Sequence, residues 1–279
     1  MRLTDLIKIG KETISALYPE REASEMVFAY LEEAIGTKRH THIVEPEYEI
    51  SPEKAESILK DFDRMAAGEP LQYVVGKAWF YGRGFNVTSD VLIPRPETEE
   101  LVYHIAEMAK RGARILDIGT GSGAIAIALA KLVKEAEVVA VDISPEALKI
   151  AKHNAKLLGT DVEFVETDAL GDLSHLGEFD IIVSNPPYIP QSDIVDMRKN
   201  VVDFEPHTAL FVPDNDILRF YVATAENAQK MLSKEGSLWF EIYEKAGEQI
   251  CSMLSEKGFS HSELIEDANL KPRMVWSRR

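Results

Sequence analysis

Apolar positions in the first 70 residues recur at helical spacing. Leu3, Leu6, Ile7, Ile14 and Leu17 fall near one face of a 3.6-residue period. Over residues 23–35, Met26, Val27, Tyr30, Leu31 and Ala34 do the same, and Gly36 follows as a C-cap. Ser51-Pro52 opens a third segment that carries Ile58, Leu59, Phe62 and Met65 as far as Gly68. Over residues 72–93 the texture changes to short strands, QYVV, KAWFY and FNV, divided by Gly76 and a Gly82-Arg83-Gly84 turn. This predicts a hairpin bridging two domains. Pro94, Pro96 and Glu97 then lead into a helix through Met108, with Thr98, Glu99 and Glu100 suited to its positive N-terminal end.

Beyond Gly112 the period alternates between two and 3.6. ARILDI, EVVAVDI, VEFVE, FDIIVS and SLWFEIY read as strands. GSGAIAIALAKLV, the segment opened by Ser144-Pro145, residues 217–232 and residues 246–255 read as helices. FSHSELIE and PRMVWS are candidate closing strands. The alternation predicts an α/β, doubly wound and mainly parallel sheet covered by helices on both faces. The expected division is a helical domain over residues 1–70, a β-hairpin linker over 71–95 and a sheet domain over 96–279.

Composition narrows the partners. Hydrophobic residues are 45% and charged residues 28%, which suits a globular chain. The net charge is −16, and the helical portion (9 basic, 15 acidic residues) is no basic arm, so binding to nucleic acid is not expected. Cys251, the one cysteine, excludes an intrachain disulfide and is most simply a packing residue. The first 20 residues lack the apolar core of a signal peptide, and the best apolar run, residues 124–130, stops at Lys131. A cytoplasmic protein without a membrane partner is expected. His153, His175 and His207 are scattered without metal-ligand spacing, so no metal is expected. Trp79, Phe80 and Tyr81 read as packing between domains.

Two motifs carry chemistry. Asp117-Ile118-Gly119-Thr120-Gly121-Ser122-Gly123 lies between a strand and a helix, where glycines bring backbone against a ligand. Asp142 closes the next strand, 19 residues beyond Gly123, placed to accept from two ribose hydroxyls. Gly119, Gly121 and Ala124 satisfy G-x-G-x-x-A, so a nicotinamide dinucleotide stays open. Asp117 tilts the reading towards S-adenosylmethionine (SAM), since a carboxylate there can accept from the methionine amino group but would repel a pyrophosphate.

The second motif, Asn185-Pro186-Pro187-Tyr188, follows the apolar strand that ends in FDIIVS. The Asn185 side chain and the Pro186 carbonyl offer two acceptors for one NH2 group, with no competing proline N–H. Tyr188 offers a flat face on which a planar group can stack. Such a pocket activates an amide or arylamine nitrogen, whose lone pair is otherwise delocalised, for methyl transfer.

DIGTGSG, AVD and SNPPYIP, with VLIPRPETEEL before them and FEPHTAL after, resemble the peptide chain release factor glutamine methyltransferases (the HemK/PrmC family) from about residue 70 to the C-terminus. The resemblance implies a Rossmann-like SAM-dependent methyltransferase fold and a glutamine in the Gly-Gly-Gln loop of release factors as substrate. It implies that Gly119, Thr120, Gly121, Ser122, Gly123, Asp142 and Ile143 bind SAM, and that Asp168 and Ala169 flank its adenine. Asp168 also reads as a helix cap. Asn185 to Tyr188 would hold the glutamine, with Arg95 and Glu97 at the entrance, although Glu97 also suits the cap of the following helix. Family members end in an Asp-x-x-Gly-x-x-Arg-like turn; Asp267 and Arg273 fit, but Leu270 stands where glycine is usual. Asn-Pro-Pro-Tyr is shared with adenine amino-methyltransferases acting on DNA or RNA, which stand as the alternative. A non-catalytic SAM- or dinucleotide-binding regulator is a third reading.

Overall fold

The computed structural model describes residues 1–279, which divide into two compact units: Met1–Lys77 with Arg198–Phe204, and Ala78–Met197 with Glu205–Arg279. The helical unit thus reaches Lys77 and takes in a later segment, and residues 78–95 group with the sheet unit.

The helical unit holds α1 (Leu3–Ile14), α2 (Glu20–Ile35), the single turn α3 (Thr41–Val44), α4 (Pro52–Ala66) and α5 (Leu71–Val75). Ser51 caps α4 by accepting from the Lys54 N–H, and Gly36 ends α2 in the left-handed region (φ 70°). The core sits between α1, α2 and α4, on Leu6, Ile14, Val27, Ile58 and Phe62. Residues 72–75, expected as a strand, are helical instead. Pro70 fixes the entry and Gly76 (φ 75°) the exit, and these ends override a short β-branched run. Within this unit Arg198 reaches Glu22 at 3.3 Å, and a Phe204 ring carbon lies 3.5 Å from where a Gly68 Cβ would stand.

Gly10 in α1 is required by close packing. A Cβ there would meet three ring carbons of the buried Phe62 at 2.6, 2.8 and 3.0 Å. In an open helix Gly→Ala gains about 1 kcal/mol. Here Gly10→Ala is expected to destabilise the protein by about 1–3 kcal/mol through overpacking. Urea unfolding checks the sign; a gain in stability would mean that the ring moves aside freely.

The sheet unit begins at Ala78, inside the ribbon of β1 (Lys77–Phe80) and β2 (Arg83–Asn86), which turns at Tyr81-Gly82, so that Arg83 and Gly84 lie in the strand rather than the turn. Phe80 packs in this unit's own core beside Phe85, whereas Trp79 is 58% exposed. There follow α6 (Pro96–Met108), β3 (Arg114–Ile118), α7 (Ala124–Leu132), β4 (Glu137–Asp142), α8 (Pro145–Leu158), β5 (Glu163–Glu166) and β6 (Phe179–Ser184). Then come β7 (Ile189–Pro190), the turn α9 (Lys199–Val202) of the helical unit, β8 (Phe211–Val212), α10 (Arg219–Met231), β9 (Leu232–Glu241), α11 (Gly247–Glu256), β10 (His261–Glu266) and β11 (Pro272–Arg278).

Seven strands form one sheet in the order β10-β11-β9-β6-β3-β4-β5, parallel except where β11 runs against its neighbours β10 and β9. Alternate side chains serve opposite faces. Ile115, Ala140, Val183 and Trp239 enter the core under α6, α7 and α8. Leu116, Val139, Ile182 and Phe240 enter the one under α10 and α11. No helix is long and apolar enough to cross a membrane.

Candidate active site

Register places the chemistry. Ile118 pairs with Val141 on one side and Ser184 on the other, and Ser184 pairs with Phe240. The residues that follow, Gly119, Asp142, Asn185 and Glu241, therefore leave four adjacent parallel strands at one level, at the carboxyl edge where such sheets bind ligands. A cleft of about 400 Å³ opens there, and Gly119, Gly121, Asp142, Asn185, Pro186 and Pro187 are among its walls.

The glycine loop is tied down before any ligand arrives. The N–H groups of Gly119 and Thr120 donate to the Val141 carbonyl at 2.9 and 3.0 Å. Asp142 accepts from the Gly121 N–H through Oδ2 (2.8 Å) and from the Ser144 N–H through Oδ1 (2.9 Å). Each carboxylate oxygen keeps a lone pair for a further donor. Gly119 and Gly121 have φ of 79° and 54°, and no atom lies within 4 Å of a Cβ built on either. This bare backbone is the cradle that a ligand's close approach requires. Gly123 serves packing instead, because a Cβ there would lie 2.9 Å from Ile127 and 3.1 Å from Ala151 of α8.

Several expected cofactor residues stand behind the loop. Asp117 is fully buried and is not a cleft wall; its Oδ2 accepts from the Thr120 hydroxyl (2.7 Å) and the Ala126 N–H (3.2 Å). Its Oδ1 is buried without a partner. Burial pushes this carboxyl up to about 7, against the two hydrogen bonds and with a contribution from Asp142. Thr120 and Ser122 are likewise buried supports. Ile143, 63% exposed, is a cleft wall, as are Asp168 and Ala169, and Asp168 also accepts from the Leu170 N–H at 2.9 Å.

On the substrate side, Asn185 Nδ2 donates to the Thr98 hydroxyl (3.4 Å), and Thr98 donates to Glu241 Oε2 at 2.6 Å. Tyr188 donates to Glu241 Oε1 (3.2 Å), and its ring stacks on Tyr243 at 6.5 Å, so it buttresses the loop and is not among the cleft walls. Burial and the neighbouring Glu241 charge push the Tyr188 hydroxyl up. Burial also raises the Glu241 carboxyl, opposed by the Thr98 and Tyr188 hydroxyls and the Arg273 charge, with Glu97 adding to the rise. Arg95 and Glu97 do not line the cleft. Arg95 is held by Glu205 at 2.6 Å, and Glu205, which also accepts from the Ile93 N–H (3.2 Å), thereby anchors the chain beside the cleft wall at residues 90–92.

Sequence reasoning gave no role to Glu241, Asn154, Thr224 or Arg219. Asn154 bonds Asn86 through both amide atoms and donates to the Ser122 carbonyl, tying β2 to the glycine loop. Thr224 and Arg219 line the cleft, with Thr224 Oγ1 and Arg219 Nε buried and unpartnered. The available signal was a charged residue inside an apolar strand, as Glu241 is in SLWFEIY.

Residues 96–203 match the methyltransferase small domain, and residues 5–76 match the PrmC N-terminal domain. The release factor glutamine methyltransferase of Flavobacterium psychrophilum is 38% identical over 272 residues, 95% of this chain and 94% of its own length. That of Bacillus anthracis is 36% identical over 284 residues, 99% of both chains. The chain belongs to the release factor glutamine methyltransferase family. Among solved structures, a methyltransferase from Pyrococcus furiosus superposes with a TM-score of 0.53 at 18% identity, covering 82% of this chain and 98% of that one. A T. thermophilus 16S rRNA methyltransferase in complex with AdoMet and guanosine gives 0.51 at 20% identity, covering 73% of this chain and 49% of that one. Both likenesses concern the fold, which is that of the Rossmann-like methyltransferases. Membership of the family sets aside the dinucleotide and regulator readings of the glycine loop. The family's closing turn forms in this chain despite its missing glycine: Asp267 accepts from the Asn269 and Lys271 N–H groups and from Arg273, and Leu270 takes the left-handed conformation itself (φ 60°).

Proposed function

We propose that this methyltransferase transfers the methyl group of SAM to the side-chain amide nitrogen of the glutamine in the Gly-Gly-Gln loop of peptide chain release factors. The observation that carries this reading is one cleft whose walls include both the glycine cradle with Asp142 and the acceptor pair of Asn185 and Pro186. The residues present fit SAM. Gly119 and Gly121 admit close approach, Asp142 has lone pairs left for ribose hydroxyls, and Ile143, Asp168 and Ala169 wall the space for an adenine. Bound SAM supplies an electrophilic methyl group.

The chain's own residues supply binding, orientation and polarisation. Because Asn185 Nδ2 is turned to Thr98, its Oδ1 is the atom left to accept from an incoming NH2. The Pro186 carbonyl accepts the second hydrogen, and neither proline contributes a competing donor. Two acceptors raise electron density on the amide nitrogen and stabilise the positive charge that develops there. Fixing the group in line for attack is worth up to about 7–11 kcal/mol. The nitrogen's proton leaves after the transfer, so no adjacent base is needed. Tyr188, fixed by Glu241 and Tyr243, keeps the loop rigid.

An adenine amino group would fit the same two acceptors, but a chain of net charge −16 is poorly suited to a phosphate backbone. A protein loop rich in glycine enters a narrow cleft without that penalty. A substrate that works in translation supports a cytoplasmic location for the enzyme. The reading is tested by incubating the protein and labelled SAM with release factor, DNA and RNA, and locating the methyl by mass spectrometry. One methyl on the loop glutamine is expected; a methyl on adenine, or on another residue of the release factor, overturns it.

A further inference from the structure

Thr98 has one hydroxyl proton and two lone pairs. Its proton is committed to Glu241 Oε2 at 2.6 Å, a length typical of a charge-assisted bond. Towards Asn185 it can then only accept. An asparagine amide presents NH2 on one side and oxygen on the other, and its orientation follows from its partners. Here the partner dictates it: Nδ2 faces Thr98 and Oδ1 faces the opposite way. Glu241 is 2% exposed and receives a second hydroxyl, that of Tyr188, on its other oxygen. Two residues of the Asn-Pro-Pro-Tyr loop thus depend on one buried carboxylate, which reaches Asn185 through a threonine 143 positions before it. β9 places Glu241 beside Asn185 because Phe240 and Ser184 are in register.

We infer that the Glu241–Thr98 pair sets the facing of the Asn185 amide and thereby makes the site select an amide over a carboxylate. Both are positioning residues, and this role rests on the reading of Asn185 as the acceptor of the substrate NH2. With Oδ1 turned to the cleft, a glutamine side chain finds an acceptor, whereas a glutamate finds oxygen facing oxygen. Were the amide reversed, the site would offer a donor and would bind the carboxylate.

The test uses Thr98→Val, which keeps the shape and removes the hydroxyl. Its folding is checked by thermal melting and its cofactor site by SAM affinity, expected at the parent's value. Two readouts are expected to move together. The methylation rate falls by about tenfold or more, as expected when the half-buried Asn185 Nδ2 loses its acceptor. Inhibition by a release factor carrying glutamate at the target position strengthens by a similar factor, because the reversed amide now donates to it. Thr98→Ser restores both. If Thr98→Val does not fold, Glu241→Gln takes its place. A neutral amide can donate to Thr98 and free its hydroxyl to donate to Asn185, so the same two shifts are expected in smaller measure. A folded Thr98→Val with parent-like rate and unchanged rejection of the glutamate form overturns the inference, as does failure of serine to restore it. Loss of the underlying reading looks different, because Asn185→Ala would then itself leave the rate intact.

Discussion

Asn185→Ala is expected to lower turnover by about 10²–10³, the loss seen when one preorganised partner of a developing charge is removed. SAM affinity is expected to change far less, because Asp142 and the glycine cradle stand on neighbouring strands and do not depend on the Asn185 side chain. The fold should tolerate the change. Asn185 is only partly buried, and its one side-chain bond, to Thr98, is long at 3.4 Å. Single-turnover methylation with saturating SAM separates the two effects. A variant that methylates at the parent's rate would show that the substrate nitrogen is held elsewhere in the cleft.

The second large effect is on cofactor binding. Asp142→Ala is expected to weaken SAM by roughly 10- to 150-fold, corresponding to about 1.5–3 kcal/mol for charged hydrogen bonds. Part of that loss acts through the protein, since Asp142 also holds the Gly121 and Ser144 N–H groups. The loop keeps its ties to the Val141 carbonyl, so it is loosened and not released. Calorimetry on the purified variant measures the change, and an unaltered affinity would remove Asp142 from the cofactor site.

The strands of the parallel sheet were legible because both faces are buried, which writes them as short apolar runs such as VVAV in β4 and IIV in β6. The same rule misled at QYVV, where three apolar residues after Gln72 have no period of their own and the flanking Pro70 and Gly76 decide for a helix. The site's front was legible as well: glycines and an aspartate at strand ends, and an asparagine followed by two prolines. Its support was not. Thr98 and Glu241 lie 143 residues apart, and only the register of β6 against β9 brings Asn185 to them. Asp117 shows the converse. Its position in the motif points to a ligand, yet the first turn of α7 and Thr120 take one of its oxygens into the interior. Arg95 is similar, because the partner that claims it is 110 residues away.

The division of the chain also bears on how it is made. Arg198 is synthesised 121 residues after Lys77, so the helical unit leaves the ribosome without its last segment. At about 5–20 residues per second, the wait is roughly 6–24 s. During that time Glu22 lacks Arg198, and Phe204 is missing from its place near Gly68. By the time they arrive, β3 to β6 have already been translated. The amino-terminal helices thus emerge first with their whole core, which draws only on residues 3–75, and take up Arg198 and Phe204 as late additions to its surface.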